Sequence, residues 1–373
     1  MFSDYELKNY NLRLLLYILL LNVLGVLVIR SATNQDMAYV GKQILGIVVG
    51  FAVVIVLSLI DYHRILSTAW AIYGICIAGL IAVLLFGRNV NNATRWLVLP
   101  GVGQIQPSEF VKTGIIVFFS WYFSKNQKKL NQFTTLLMAG SLYLLQFALI
   151  FSQPDLSTGL VTAVIFLCML FVAGLGWRWI AGALAVFLPC GALFLYLLQY
   201  NMVPFLRSYQ ANRILAFVDP EHYAEINRQQ NNSIMAIGSG MLTGKGLNNN
   251  SLASVKQGNF LSEEQTDFIF AVIGEELGFI GCAAVILLIA LIVFECLLMA
   301  ARSADMAGRL LCTGMATLLA FQSFSNIAVA TGLLPNTGLP LPFVSYGVSS
   351  LMSAYIGIGL SLNVGLQRKL SNY

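Results

Sequence analysis

The sequence predicts an all-α polytopic membrane protein of about ten transmembrane helices, and three observations carry that reading. Of the 373 residues, 58% are hydrophobic and only 10% are charged, whereas a water-soluble domain has roughly a quarter of its residues charged. Mean hydropathy is +0.78. Apolar runs near the ~20 residues that a helix needs to cross the hydrocarbon core recur from one end of the chain to the other.

Taken in order, the first run, 12–30, could be mistaken for a cleaved signal sequence. It is long, is followed by Arg30 and is one of many such runs, so it reads as a retained helix. Further apolar runs give helices over 40–60 and 66–86. A polar stretch, 87–112, then leads into a helix over 109–123, whose start is marked by Pro107 and Ser108. Helices over 133–151, 157–175 and 180–199 follow, separated by short loops. The long polar stretch 200–266 separates them from helices over 268–297, 310–331 and 348–366. No internal repeat stands out, although Gln106-Pro107-Ser108-Glu109 and Gln153-Pro154-Asp155-Leu156 are alike. The chain reads as a single membrane domain over 1–373.

Orientation follows from Lys and Arg in the short loops, which favour the cytoplasmic side. With the N-terminus inside, that side holds Lys8, Arg13, Arg64, Lys125, Lys128, Lys129, Arg178, Arg302, Arg309, Arg368 and Lys369. The outer short loops hold only Arg30, Lys42, Arg88 and Arg95, with Lys112 just within a span. Both termini are therefore expected in the cytoplasm. The unusual polar stretches 87–112, 200–267 and 332–347 then share the outer face, the largest of them preceding helix eight.

Several function classes are disfavoured. The formal charge of +5 comes from scattered basic residues rather than one basic face, so no nucleic acid is expected. Cys76, Cys168, Cys190, Cys282, Cys296 and Cys312 lie singly in apolar runs, without disulfide or zinc spacing. His63 and His222 have no metal-ligand neighbours, and the Asn-x-Ser/Thr triplets are chance-level matches.

Charged side chains within a span are costly and mark functional candidates. Glu109 and Lys112 are three residues apart at the start of the fourth span, on one helical face. They form either a structural ion pair or a site where Lys112 holds an anionic headgroup and Glu109 orients it. Asp267, at the start of the eighth span, is either a helix cap favoured by the macrodipole or a reactive carboxylate. Glu275 and Glu276 lie deeper on that helix and cannot face the same way, so at least one is expected to pair inside the bundle. The segment Gly238–Gly246, with Lys245, lacks the P-loop spacing. It is a tight bend or a place where backbone N–H groups approach phosphate. The segment Thr331–Gly347 carries three prolines and cannot be regular helix, so it must be buried in protein or line a cavity.

Five motifs in order carry a resemblance over nearly the whole chain. They are Arg95-Trp96, Gln106-Pro107-Ser108-Glu109-Phe110-Val111-Lys112, Gln153-Pro154-Asp155-Leu156, the run Thr266–Gly278 and the run Gly338–Gly347. Together they resemble the SEDS family (shape, elongation, division and sporulation). That resemblance implies ten spans in the bacterial cytoplasmic membrane and polymerisation of lipid II into glycan strands beside a class B penicillin-binding protein. The short tails favour the RodA-like elongation branch over the division or sporulation branches. Met241 and Val348 stand where the family commonly has glycine, and Glu264-Gln265 precede Thr266 less typically.

By the same resemblance the family's essential aspartate matches Asp267, and its Glu and Lys match Glu109 and Lys112. Asp267 is then the general base. Lys112, followed by Arg213 and Lys245, is expected at the pyrophosphate, and Trp96 and Ser345 complete the substrate-binding set. A divalent cation (Mg or Mn) could share the pyrophosphate, although no clear ligand set is visible. The rival reading is a flippase for the same lipid, with Glu109, Lys112, Glu275 and Glu276 as a polar route.

Overall fold

The computed structural model describes residues 10–90, 93–99, 103–199, 215–216, 223, 225, 227–248, 261 and 263–367. Its helices are α1 (Leu12–Ala32), α2 (Met37–Leu59), a short α3 (Tyr62–Ser67), α4 (Ala69–Phe86), α5 (Pro107–Lys125), α6 (Phe133–Ser152), α7 (Leu156–Val172) and α8 (Trp177–Gln199). They continue with α9 (Arg228–Ser239), α10 (Ile269–Ala301), α11 (Met306–Ala330) and α12 (Val348–Leu366). Each of the ten expected helices is present within a few residues. Seven of them, α1, α2, α4, α6, α10, α11 and α12, are long and apolar enough to cross a membrane. This is a multi-pass membrane protein.

Helix starts follow local chemistry. Asn11, Asp36, Asp61, Asp155 and Asp305 each accept a hydrogen bond from a backbone N–H in the first turn of the helix they cap. Burial sorts the helices into shells. The most hydropathic, α10 and α1, leave most of their apolar windows unburied, whereas 72% of an 18-residue stretch of α11 and of α12 is buried. These two central helices carry the polar residues Gln322, Asn326, Ser353 and Asn363, all buried. In lipid the usual inside–outside rule changes, because the tails are as apolar as leucine and polar groups must find partners in the bundle.

Two features depart from the expectation. The chain is not purely helical. Part of the polar stretch 87–112 forms a three-stranded antiparallel sheet, β1 (Arg88–Val90), β2 (Ala93–Leu99) and β3 (Gly103–Ile105), in the order β1-β2-β3. Its pairs include Arg88 with Trp96 and Leu97 with Ile105. Thr94–Leu99 is short and rich in β-branched and aromatic residues, which suits a pleated strand lying on the bundle. The polar stretch 200–266 is likewise not all loop, since it contains α9.

α10 is also not a continuous rod. Gly278, at φ 65° and ψ −162°, breaks it into two helical parts joined by a kink. A Cβ at that position would stand 2.3 Å from the Gly244 nitrogen, so only glycine fits there. The break frees backbone groups on both sides, and the segment Met241–Gly246 takes them up. Lys245 N–H donates to Glu275 O and Gly246 N–H to Glu276 O, both at 2.9 Å. Phe279 N–H donates to Met241 O at 2.9 Å and Ile280 N–H to Leu242 O at 3.2 Å. The glycine-rich segment is therefore a bend that seals a broken helix. The Lys245 and Gly246 amides serve carbonyls, not phosphate oxygens.

Candidate active site

The site is assembled around the turn before α10. Asp267 lies in that turn, half-buried, with its N–H donating to Glu263 O at 3.2 Å. The Ala271 N–H bonds Phe268 O at 2.9 Å, so the helical ladder begins one residue beyond Asp267. The N-cap of α10 is Phe268, and no side chain caps the helix, so Asp267 does not serve as its cap.

The segment 331–347 is non-helical, as its prolines require, and forms a wall beside this turn. Three staples join wall and turn. Ser345 Oγ donates to Thr266 O at 2.6 Å and accepts from Leu341 N–H at 2.8 Å. Tyr346 N–H donates to Gln265 O at 2.9 Å. Asn326 Nδ2, from α11, donates both to Asp267 O at 2.9 Å and to Leu339 O at 2.7 Å. Gly338, at φ 68°, lets the wall pass so close that a Cβ there would lie 3.1 Å from Asp267 Oδ2. Farther along, Gln43 Nε2 holds Ser345 O at 3.3 Å, and the rings of Tyr39 and Tyr346 meet edge to face at 5.0 Å. Burial, with Tyr39 adding to it, pushes the Tyr346 phenol above its ordinary value.

One helical turn before Asn326 on the same face of α11 stands Gln322. Its Oε1 accepts from Lys112 Nζ at 2.7 Å, while its Nε2 donates to Pro340 O at 2.9 Å. Lys112 also pairs with Glu109 Oε2 at 2.8 Å, and the two side chains are only 1% and 4% exposed. Ser353 Oγ fastens Glu109 O at 2.7 Å. A continuous polar chain therefore runs Glu109–Lys112–Gln322–Pro340, and from the neighbouring Leu339 through Asn326 to Asp267.

A second cluster lies at the start of α5 and α7. Asp155 caps α7 and takes Gln106 Nε2 and Ser108 Oγ, each at 3.3 Å, with Arg95 Nη1 at 3.7 Å. Arg95 Nη2 donates to Pro154 O, and Ser157 Oγ to Thr337 O of the wall. The two similar motifs, 106–109 and 153–156, are thus in direct contact. Trp96 is half-buried on β2, where the register with β1 shifts between Arg88 and Asn89.

Besides Trp96 on β2, the expected site residues fall into three groups. Asp267, Ser345, Glu109 and Lys112 are brought together through α11 and the wall. Lys245 sits elsewhere, with its Nζ on Glu275 Oε1 at 2.8 Å and its side chain 23% exposed. Glu276 faces the other way and accepts from Ser31 Oγ, so the two adjacent acids are divided between two partners. Arg213 and His222 lie outside the described residues. Sequence reasoning missed Gln322 and Asn326, ordinary polar letters in an apolar run, and did not give Arg95 or Asp155 a role. The signal for the first two was their i, i+4 spacing on a buried span. Among the described residues no group of three or more His, Cys, Asp or Glu could hold a metal ion.

Comparison with known proteins gives a consistent result. The family model for cell cycle proteins of the FtsW/RodA/SpoVE type matches residues 12–370. The chain is 34% identical over 376 residues to a probable peptidoglycan glycosyltransferase FtsW of Geobacter metallireducens, covering 98% of this chain and 96% of that protein. It is 34% identical over 366 residues to the peptidoglycan glycosyltransferase MrdB of Escherichia coli K12, covering 96% and 94%. A chain of a solved peptidoglycan synthase complex, described as coordinating polymerization and crosslinking, superposes with a TM-score of 0.78 at 27% identity, over 95% of this chain and 97% of that one. Thermus thermophilus rod shape determining protein RodA superposes with a TM-score of 0.69 at 25% identity, over 96% and 97%.

Proposed function

This chain belongs to the FtsW/RodA/SpoVE family of cell cycle proteins, and we propose that Asp267 is the general base with which it polymerises lipid II at the outer face of the bacterial cytoplasmic membrane. It is a peptidoglycan glycosyltransferase acting in cell-wall synthesis. The observation that carries the residue assignment is the carboxylate of Asp267 held against Gly338, in a turn stapled to the wall.

The reaction joins two sugars. An acceptor hydroxyl attacks the anomeric carbon of the donor, a new C–O bond forms, and the bond from that carbon to the pyrophosphate oxygen breaks. The hydroxyl proton passes to the Asp267 carboxylate. The lipid pyrophosphate departs as a stabilised anion, so one carboxylate suffices where glycosidases use two. A single displacement inverts the anomeric centre. A positioned base of this kind contributes about 10²–10⁴-fold.

The leaving group also needs preorganised positive charge. Lys112 is the first candidate, already neutralised by Glu109 and held by Gln322. Arg213 and Lys245 are the second, with Lys245 now on Glu275. Trp96 and Ser345 are proposed as substrate contacts, Ser345 through the wall that it pins. All ten long helices are proposed as spans, with both termini cytoplasmic and the stretch 200–266 outside. The proposed partner is a class B penicillin-binding protein, in keeping with the likeness to a synthase-complex chain.

A flippase reading draws on the break in α10 at Gly278. That break is closed by Met241–Gly246 rather than left lining a route, which favours chemistry at one face. Purified protein in detergent, given labelled lipid II without a bilayer and with or without a cognate class B penicillin-binding protein, separates the two. Glycan polymer is expected. Absence of polymer in both samples contradicts the enzyme reading.

A further inference from the structure

We infer that Asn326 is a positioning residue for the reaction, fixing where the Asp267 carboxylate points; the inference rests on Asp267 being the base. The argument begins with backbone accounting. A buried carbonyl at membrane depth must have a partner. The Ala271 N–H, four residues after Asp267, is on Phe268 O. Asp267 O is met instead by the Asn326 amide at 2.9 Å, and the second N–H of the same amide holds Leu339 O at 2.7 Å. One side chain thus locks the residue carrying the base to the wall residue beside Gly338, against which that base packs.

The alternative partner for Asp267 O is the Ala271 N–H. Taking it would wind Asp267 into α10. Successive helical residues point about 100° apart at 3.6 residues per turn, so that change turns the carboxylate away from Gly338. Asn326 prevents it. Its own Oδ1 is buried without a hydrogen-bond partner, and the residue is 1% exposed. An asparagine with an unpaired oxygen in one of the two central helices serves something besides packing. Gln322, one turn away, braces Pro340 and carries Lys112. The wall is therefore aligned with the base and the buried cation by two amides on one helical face.

The test is Asn326→Leu, of similar size and without polar atoms, purified in detergent and supplied with labelled lipid II. Leucine orphans Asp267 O and Leu339 O, which removing the unpaired Oδ1 only partly offsets, so the thermal midpoint should fall by several degrees and kcat is read per folded molecule. A misaligned base is expected to lower kcat by about 10- to 100-fold, with KM within about twofold. A packing role alone leaves kcat per folded molecule intact, whatever the midpoint does. Wild-type kcat, or a loss confined to KM, overturns the inference. Should Asn326→Leu not fold, Asn326→Ser, smaller and keeping one donor, is read by the same criteria. Asp267→Asn run alongside separates the two claims. Its wild-type activity would remove the base assignment itself, whereas an inactive Asp267→Asn beside a fully active Asn326→Leu removes only the positioning role.

Discussion

The buried Lys112–Glu109 pair allows a quantitative test of what the polar interior is for. Lys112→Met keeps most of the side-chain volume and deletes the cation. Glu109, 3% exposed, is then left as an uncompensated carboxylate. Breaking a buried pair in this way costs about 3–5 kcal/mol. Gln322 Oε1 also loses its donor, and the amide cannot simply flip because Nε2 holds Pro340 O; an orphaned acceptor costs about 1–3 kcal/mol. The two losses share Lys112 and overlap, so about 4 kcal/mol is the working figure. At about 2 °C per kcal/mol for a large chain, the thermal midpoint should fall by roughly 8 °C. The assay is thermal unfolding in detergent by intrinsic fluorescence. Adding Glu109→Met removes the stranded charge and should restore most of the midpoint, because a buried pair and a well-packed apolar replacement are often equivalent. A fall of under about 2 °C for Lys112→Met would refute the reasoning. The stable double variant then separates the two roles of Lys112. If it grips the pyrophosphate, lipid II turnover stays about 10²-fold low; if it only neutralises Glu109, turnover recovers.

At the opposite end of the bundle, His63 lies between Asp61 (Nδ1 to Oδ1, 2.9 Å) and Asp305 (Nε2 to Oδ2, 3.1 Å). Its own burial lowers its pKa, but hydrogen bonds to Asp61 and Asp305 outweigh that and raise it above 6.5. A neutral imidazole has one N–H and cannot donate to both carboxylates. The stabilisation is therefore full below the unfolded value near 6.5 and lost as pH rises through the folded value. The midpoint advantage of wild type over His63→Ala should be larger at about pH 6 than at about pH 9, and an equal gap contradicts it. Met241 sits at φ 50° with 78% of its surface exposed. Met241→Gly should relieve about 1 kcal/mol and raise the midpoint by a couple of degrees; a lower midpoint would show that its side chain matters. Gly278→Ala should fail to give monodisperse protein on size exclusion, since its Cβ meets the Gly244 backbone nitrogen at 2.3 Å. Normal yield would mean that the break is not required.

The helices were legible because the bilayer allows few solutions. A run of about 20 apolar residues in lipid satisfies its backbone only as a helix, and each expected helix occurs within a few residues. The charged residues within spans were legible as candidates for the same reason, and Glu109 with Lys112 does form the anticipated pair. What could not be read was the identity of tertiary partners. Glycine within an apolar run is tolerated in helices, so Gly278 gave no sign that α10 breaks there or that Met241–Gly246 seals it. The small sheet at 88–105 escaped because three strands of three to seven residues are too brief for an alternating pattern to stand out. The likeness of 106–109 to 153–156 was visible as letters. Its meaning, a shared cluster around Asp155, is a contact across helices and needs the fold.

The most direct measurement compares wild type with Asp267→Asn for polymerisation of labelled lipid II, with binding of the lipid measured on the same samples. The account predicts a rate lower by about 10²–10⁴-fold, binding within about twofold and an unchanged thermal midpoint. Polymer formed at the wild-type rate by Asp267→Asn would contradict it.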